Sequence, residues 1–112
     1  MGNIYDHDRE FIEAFLSDVN ENQEILEWAI YDLEKNNDDL DEVNKAFRAI
    51  HNLKGITAMM DLQKLSHFIH KIEDMLHLVR EKKIIVNEEI IDILYVSNNL
   101  LAKLIILDLS SD

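Results

Sequence analysis

The scarcity of chain breakers constrains this sequence more than any other feature. It contains no proline and only two glycines in 112 residues, and one of the glycines stands at position 2. Sheet-rich folds of this size normally need more of these residues, because tight turns rely on glycine and proline. The chain is therefore expected to be all-α. Its length suits one packed core, which predicts a single domain over residues 1–112.

Four stretches repeat their apolar residues at the spacing of an α-helix. We predict helices over residues 8–35, 40–60, 62–82 and 87–108. Asp39, with Glu42 three residues later, fits a capping box at the start of the second helix. Asp61 and Asn87 fit the N-caps of the third and fourth helices. Because the connections are short, neighbouring helices should be antiparallel, and the predicted fold is an antiparallel up-down four-helix bundle.

Charge and residue usage disfavour several classes of function. The net charge is −12, whereas nucleic acids and anionic membrane surfaces attract basic proteins. The longest uninterrupted apolar run, Leu104–Leu107, is far too short to span a membrane. The absence of cysteine removes disulfides and thiolate metal sites, and a cytoplasmic location is the default. We therefore expect a protein partner, and neither nucleic acid nor membrane.

The second predicted helix carries an unusual cluster, in which His51 is followed by Lys54 and Gly55. His51 lies about 110° from the centre of the apolar stripe, so its imidazole should be partly exposed. Gly55 and Ala58 lie about 40° and about 20° from it, one and two turns along the helix. The surface beside the imidazole is thus nearly free of side chains, and Lys54 can reach it. This pattern suits a phosphoryl acceptor, in which imidazole attacks and the ammonium stabilises the phosphoryl oxygens.

The third predicted helix supplies a candidate orienting group for this imidazole. If the hairpin turns near Asp61, His51 faces the segment between His70 and Glu73. Glu73 lies about 80° from the centre of its own apolar stripe, at the border of the helix interface. Its carboxylate is expected to accept a hydrogen bond from Nδ1–H of His51 and to leave the Nε2 lone pair outward. His70 would flank the groove between the second and third helices.

Ordinary interpretations of these residues stay open. A single histidine on a helix is more often solvated than reactive, and Lys54 alone is a common surface cation. Gly55 would also permit close packing of two helices. Glu73 and His77 are spaced as an i,i+4 surface pair. The combination of all these residues is what favours a reactive site.

Bound cofactors are not expected in this domain. Two glycines do not make a nucleotide-binding loop, and the sequence has neither a cysteine nucleophile nor a serine elbow, so the domain alone should not be an enzyme. His67, His70 and Glu73 spread over about 120° of one helix and do not converge on a single ion. We therefore predict no metal site.

The second and third helices resemble the N-terminal histidine phosphotransfer domain of the chemotaxis kinase CheA. The resemblance is carried by Phe-Arg-Ala-Ile-His-Asn-Leu-Lys-Gly at 47–55 and by His-Lys-Ile-Glu-Asp-Met-Leu at 70–76. The family often has further small residues after the Lys-Gly pair, where this chain has Ile56, Met59 and Asp61. These larger side chains bear on access to the site and on which partner docks.

The resemblance implies roles for the same residues. His51 would be the phosphorylated histidine, with Lys54 contacting the phosphoryl group. Glu73 would orient the imidazole with support from His70, and Gly55 would be the small residue beside the site. A separate histidine kinase catalytic domain would supply the phosphoryl group from ATP and Mg²⁺, and a response-regulator receiver domain would take it.

Two other functions remain as alternatives. One is a freestanding phosphorelay adaptor that exchanges phosphoryl groups between two receivers. The other is a helical interaction module in which His51 is never phosphorylated. Trp28 and Tyr31 lie off the main apolar stripe of the first helix and are candidates for a contact surface.

Overall fold

The computed structural model describes residues 9–110 as four helices without a strand. They are α1 (Arg9–Lys35), α2 (Leu40–Met59), α3 (Gln63–Arg80) and α4 (Glu88–Ser110). Each helix packs against the next one in sequence, and α4 closes the bundle against α1. The bundle measures 48 × 20 × 19 Å, and the predicted all-α four-helix bundle is confirmed. The predicted start of the first helix at Asp8, and the ends of the predicted domain 1–112, lie outside the described residues.

The core lies along the bundle axis and is built from the predicted apolar stripes. Every helix contributes fully buried aliphatic side chains, among them Leu26, Ile30, Leu33, Leu53, Ile69, Leu76, Leu94, Leu101 and Ile105. Burying one such side chain contributes about 1.5–3 kcal/mol. The core therefore holds α2 and α3 side by side along the length that carries the candidate site residues.

Two of the predicted N-caps are present. Oδ1 of Asp39 accepts hydrogen bonds from the backbone N–H groups of Asp41 and Glu42, and Oδ1 of Asn87 accepts from the N–H of Ile90 at 2.9 Å. The predicted capping box is wrong in its second half. The Glu42 carboxylate accepts a hydrogen bond from Lys45 at 3.0 Å, and the backbone N–H of Asp39 donates instead to the carbonyl of Asn36 at 3.2 Å.

Asp61 does not cap α3 as predicted. It follows α2 with a positive φ of 62°, while the N–H of Leu62 donates to the Thr57 carbonyl and that of Asp61 to the Ala58 carbonyl. These two bonds form a Schellman motif, which ends a helix with one left-handed residue. The N-cap position of α3 is Leu62, and no side chain of the described residues caps it. The sequence has no glycine at this turn, so the motif was not predicted.

The end of α3 has the same motif, with Lys82 at a φ of 63°. We expect Lys82→Gly to stabilise the protein by about 0.5–1 kcal/mol, because glycine adopts this conformation without the clash that a Cβ causes. Urea denaturation would measure the gain. Lys83→Gly is the matched control, since Lys83 lies outside the left-handed region, and it should be neutral or slightly destabilising. Equal effects of the two substitutions would contradict the prediction.

Helix α4 is the most apolar of the four. Its stretch Glu88–Leu107, with a mean hydropathy of 1.7, is long and apolar enough to cross a membrane by length and composition alone. This was not predicted from the sequence, because only the longest uninterrupted apolar run, Leu104–Leu107, was considered. Core helices of bundles pass the same test, and one face of α4 is indeed buried in the core. The opposite face exposes apolar side chains, namely Ile93, Val96, Leu100, Ile106 and Leu107.

Candidate functional site

The imidazole of His51 stands on the outer surface of α2, with 60% of its side chain exposed, as its position on the helix predicted. Its Nδ1 lies 2.5 Å from Oε2 of Glu73 on α3. The hairpin between α2 and α3 thus brings together the histidine and the carboxylate that sequence spacing paired. The Nε2 atom, on the other side of the ring from this bond, is the ring nitrogen available to a reactant.

Glu73 is more buried than its position at the border of the stripe predicted, with 9% of its side chain exposed. Burial raises the pKa of this carboxyl, but hydrogen bonds from Lys54 and His51 outweigh burial and hold the pKa below its usual value. Glu73 is therefore ionised at neutral pH and can only accept hydrogen bonds. It follows that Nδ1 of His51 carries a proton, and in the neutral imidazole the lone pair is then on Nε2.

Lys54 donates a hydrogen bond to the second carboxylate oxygen of Glu73. Its Nζ donates to Oε1 of Glu73 at 2.6 Å, and its side chain is 29% exposed. One buried carboxylate therefore joins an imidazole and an ammonium from the neighbouring helix. The positive charge of Lys54 lies beside the imidazole, although its direct partner in the structure is Glu73.

The structure corrects the expected position of His70. Its side chain is exposed, and its Nε2 lies 3.6 Å from Oδ1 of Asp74, one turn along α3. Among the described residues, the hydrogen bonds of Glu73 come from His51 and Lys54 and not from His70. The imidazole of His70 lies on the outer side of α3 and does not reach the carboxylate of Glu73, which is directed towards α2. The alternative pairing of His77 with Glu73 is also wrong, because His77 lies 3.5 Å from Glu81.

The surface on the C-terminal side of His51 is open. Gly55 and Ala58 are exposed, and a Cβ added at Gly55 would meet no described atom within 4 Å. Close helix packing is therefore not the reason for this glycine. Ile56 and Met59 line the same shallow surface, and Met59 is 73% exposed. The imidazole is thus open to solvent beside Gly55, and the apolar side chains of Ile56 and Met59 border this opening.

An aromatic contact of His51 was not predicted. The ring of Phe47, one turn earlier on α2, is parallel to the imidazole within 7°, with 6.4 Å between the centroids. The guanidinium of Arg80, from the end of α3, lies 4.1 Å from the Phe47 centroid. The i,i+4 spacing of Phe47 and His51 was the available signal in the sequence.

A groove of about 930 Å³ runs between α1 and α2 and reaches His51. Its lining combines the apolar side chains of Ile25, Trp28 and Phe47 with charged side chains of both signs, namely Glu21, Glu24, Asp32, Glu42, Lys45, Arg48 and Arg80. Trp28, which the sequence marked as a candidate contact residue, is 66% exposed here. This groove offers an apolar surface with charges of both signs next to the imidazole.

The fold and the site together define a class of protein, namely four-helix bundles that expose a histidine whose ring is hydrogen-bonded to a buried carboxylate. Residues 10–108 match the family model of the Hpt domain, and the chain belongs to this family. It is 34% identical over 98 residues to the sensor histidine kinase CheAY of Helicobacter pylori. That match covers 88% of this chain but 12% of the relative, so the chain spans about one eighth of that relative's length.

Solved structures agree with this assignment. The CheA phosphotransferase domain from Thermotoga maritima superposes with a TM-score of 0.84 at 26% identity, covering 90% of this chain and 96% of that one. The phosphorylated P1 domain of CheA3, solved in complex with CheY6 from R. sphaeroides, has a TM-score of 0.78 at 26% identity, with coverages of 84% and 73%. The resemblance to the CheA phosphotransfer domain is confirmed.

Proposed function

We propose that this domain is a phosphoryl carrier of a chemotaxis signalling system, with His51 as the phosphorylated residue. The observation that carries the proposal is the hydrogen bond from Nδ1 of His51 to the ionised Glu73. This bond leaves the Nε2 lone pair directed outward on an exposed ring. A solved relative at 26% identity is described as a phosphorylated P1 domain.

The proposed forward step is an in-line substitution at phosphorus. Nε2 of His51 attacks the γ-phosphorus of ATP held by a separate histidine kinase domain. The bond to the oxygen that bridges the β- and γ-phosphates breaks, and ADP leaves with the electron pair. Positive charge builds up on the ring as the new P–N bond forms, and Glu73 stabilises it through Nδ1–H. ATP and Mg²⁺ belong to the kinase domain, and this domain supplies the acceptor.

The proposed return step delivers the group to a receiver domain of a response regulator. A receiver aspartate attacks phosphorus, the P–Nε2 bond breaks, and the ring becomes neutral imidazole again with its proton on Nδ1. Receiver domains as partners are supported by the CheA3 relative, which is described in complex with CheY6. We also propose a cytoplasmic location, where the ATP that feeds the transfer is found.

Lys54 is proposed to stabilise the phosphoryl oxygens as negative charge approaches Nε2. We expect Lys54→Met to slow phosphoryl acceptance about tenfold, as for one charge-assisted hydrogen bond at a half-exposed site. Initial rates with a fixed amount of kinase would measure this. Lys71→Met, which removes an exposed lysine of α3, is the matched control and should keep the wild-type rate. A Lys54→Met rate equal to that of the control would remove this role.

The proposed function is tested by incubating the domain with ATP, Mg²⁺ and a CheA kinase core, followed by mass spectrometry at neutral to alkaline pH. We expect one added phosphate on His51 that is lost on acidification, because phosphohistidine is acid-labile. A kinase that phosphorylates its own substrate but never this domain would favour the interaction module. Exchange with two different receivers, without any kinase, would instead identify a phosphorelay adaptor.

A further inference from the structure

Phe47 connects the imidazole to a cation of the neighbouring helix. Its half-buried ring is parallel to that of His51 within 7° at 6.4 Å, which is within the range of offset aromatic stacking. The guanidinium of Arg80 lies over the same Phe47 ring at 4.1 Å, a cation–π distance. His77 also approaches this ring, at 6.3 Å and tilted by 44°. Phe47 is thus held from α3 while its ring is parallel to the imidazole.

The hydrogen bond to Glu73 does not by itself determine the plane of the imidazole. It restrains one atom, Nδ1, whereas the side chain has two rotatable bonds. Correlated rotation about χ1 and χ2 can keep Nδ1 near Oε2 of Glu73 while Nε2 swings away from the direction of attack. A second restraint on the ring plane is therefore needed, and Phe47 is the aromatic ring that the structure places parallel to the imidazole.

We infer that Phe47, steadied by Arg80, is a positioning residue that sets the plane of the His51 ring and hence the direction of its Nε2 lone pair. This inference rests on the proposed function, since it concerns the same phosphoryl acceptance. Phe47 does not touch the phosphoryl group. Its effect arises because in-line attack requires the lone pair to be aligned with the breaking bond, and a freely rotating ring is aligned for only part of the time.

A docking role for Phe47 must be distinguished from a positioning role, because Phe47 also lines the groove between α1 and α2. A small phosphoryl donor makes this distinction, since it needs no docking surface. With phosphoramidate, Nε2 attacks phosphorus, the P–N bond of the donor breaks, and ammonia leaves. A ring that is poorly positioned reacts more slowly with both donors, whereas a damaged docking surface affects only the kinase.

The experiment compares the wild-type domain with Phe47→Leu, Phe47→Tyr and Arg80→Met. Acceptance rates are measured with the kinase core and with phosphoramidate, and NMR relaxation of the His51 ring Cε1–H group reports its mobility. Phe68→Leu is the matched control, because Phe68 is a half-buried aromatic that packs against the core. Thermal unfolding of each variant checks that the bundle is intact. If Phe47→Leu fails to fold, Arg80→Met still tests the contact between Phe47 and His51, because Arg80 holds the Phe47 ring from the other helix.

We expect Phe47→Leu to lower both rates about three- to tenfold, the equivalent of one aromatic pair. The His51 ring should become more mobile in this variant, whereas Phe47→Tyr should keep both the wild-type rates and the wild-type ring mobility. Arg80→Met should lower the rates in the same direction but by less. Phe68→Leu should match the wild type in both measurements. Wild-type rates with phosphoramidate in both Phe47→Leu and Arg80→Met would overturn the inference. A wild-type domain that accepts no phosphoryl group from either donor would refute the proposed function itself.

Discussion

Replacing His51 by glutamine is expected to abolish phosphoryl acceptance while the bundle stays folded. The amide of glutamine has no ring nitrogen with a free lone pair, so the P–N bond cannot form. Because the side chain is 60% exposed, we expect the free energy of unfolding to change by only about 0.5–1 kcal/mol. Mass spectrometry at alkaline pH and urea denaturation would measure the two quantities.

The control for this experiment is His67→Gln, which removes another exposed histidine, on α3, and should keep the wild-type rate. Phosphate found on His67, His70 or His77 in the His51→Gln protein would show that the assignment of the acceptor is wrong. Loss of acceptance in both variants would point instead to an effect on docking or folding.

Replacing Glu73 by alanine is expected to slow phosphoryl acceptance by about 10- to 100-fold, by analogy with the loss of carboxylates that orient metal-bound histidines. The variant loses the acceptor that holds the proton on Nδ1 and the charge that stabilises the ring in the transition state. NMR of the ring nitrogens would show the protonated Nδ1 tautomer losing population. A normal rate in Glu73→Ala would refute the role assigned to this carboxylate.

The same variant is expected to alter the dependence of stability on pH. The hydrogen bonds of Glu73 hold its pKa below the ordinary value of 4.5, so their stabilisation is fully present above that pH and is lost as the pH falls through the folded-state pKa. At neutral pH the ionised side chain should contribute about 1–3 kcal/mol, as hydrogen bonds to charged groups do. The difference in unfolding free energy between wild type and Glu73→Ala should therefore shrink on acidification below pH 4.5.

Asp74→Ala is a suitable comparison for this pH experiment. Asp74 is exposed and is paired with His70 at 3.6 Å, so its removal should cost about 0–1 kcal/mol. If the difference in unfolding free energy between wild type and Glu73→Ala stays constant down to acid pH, packing of the side chain, and not its charge, stabilises the fold.

The four helices could be predicted from the sequence because their apolar residues recur at helical spacing over long stretches. Leu26, Ile30 and Leu33 of the first helix, for example, follow one another at three- and four-residue spacing, and all three are buried. The contact between His51 and Glu73 could be predicted as well, since a short turn between antiparallel helices brings together residues at similar distances from it. The helix ends were harder to predict, as at Asp61, because a Schellman motif without glycine has no clear sequence signal.

The sequence by itself determined the bundle, its apolar faces and the placement of His51 opposite Glu73, because periodicity defines the angle of each residue around its helix. Tertiary structure alone decided which partners the neighbouring side chains of α2 and α3 take. It paired Lys54 with Glu73, turned His70 towards Asp74, and placed Arg80 over Phe47. These contacts depend on rotamers and on the lateral fit of α2 against α3, and an angle around one helix axis specifies neither of them.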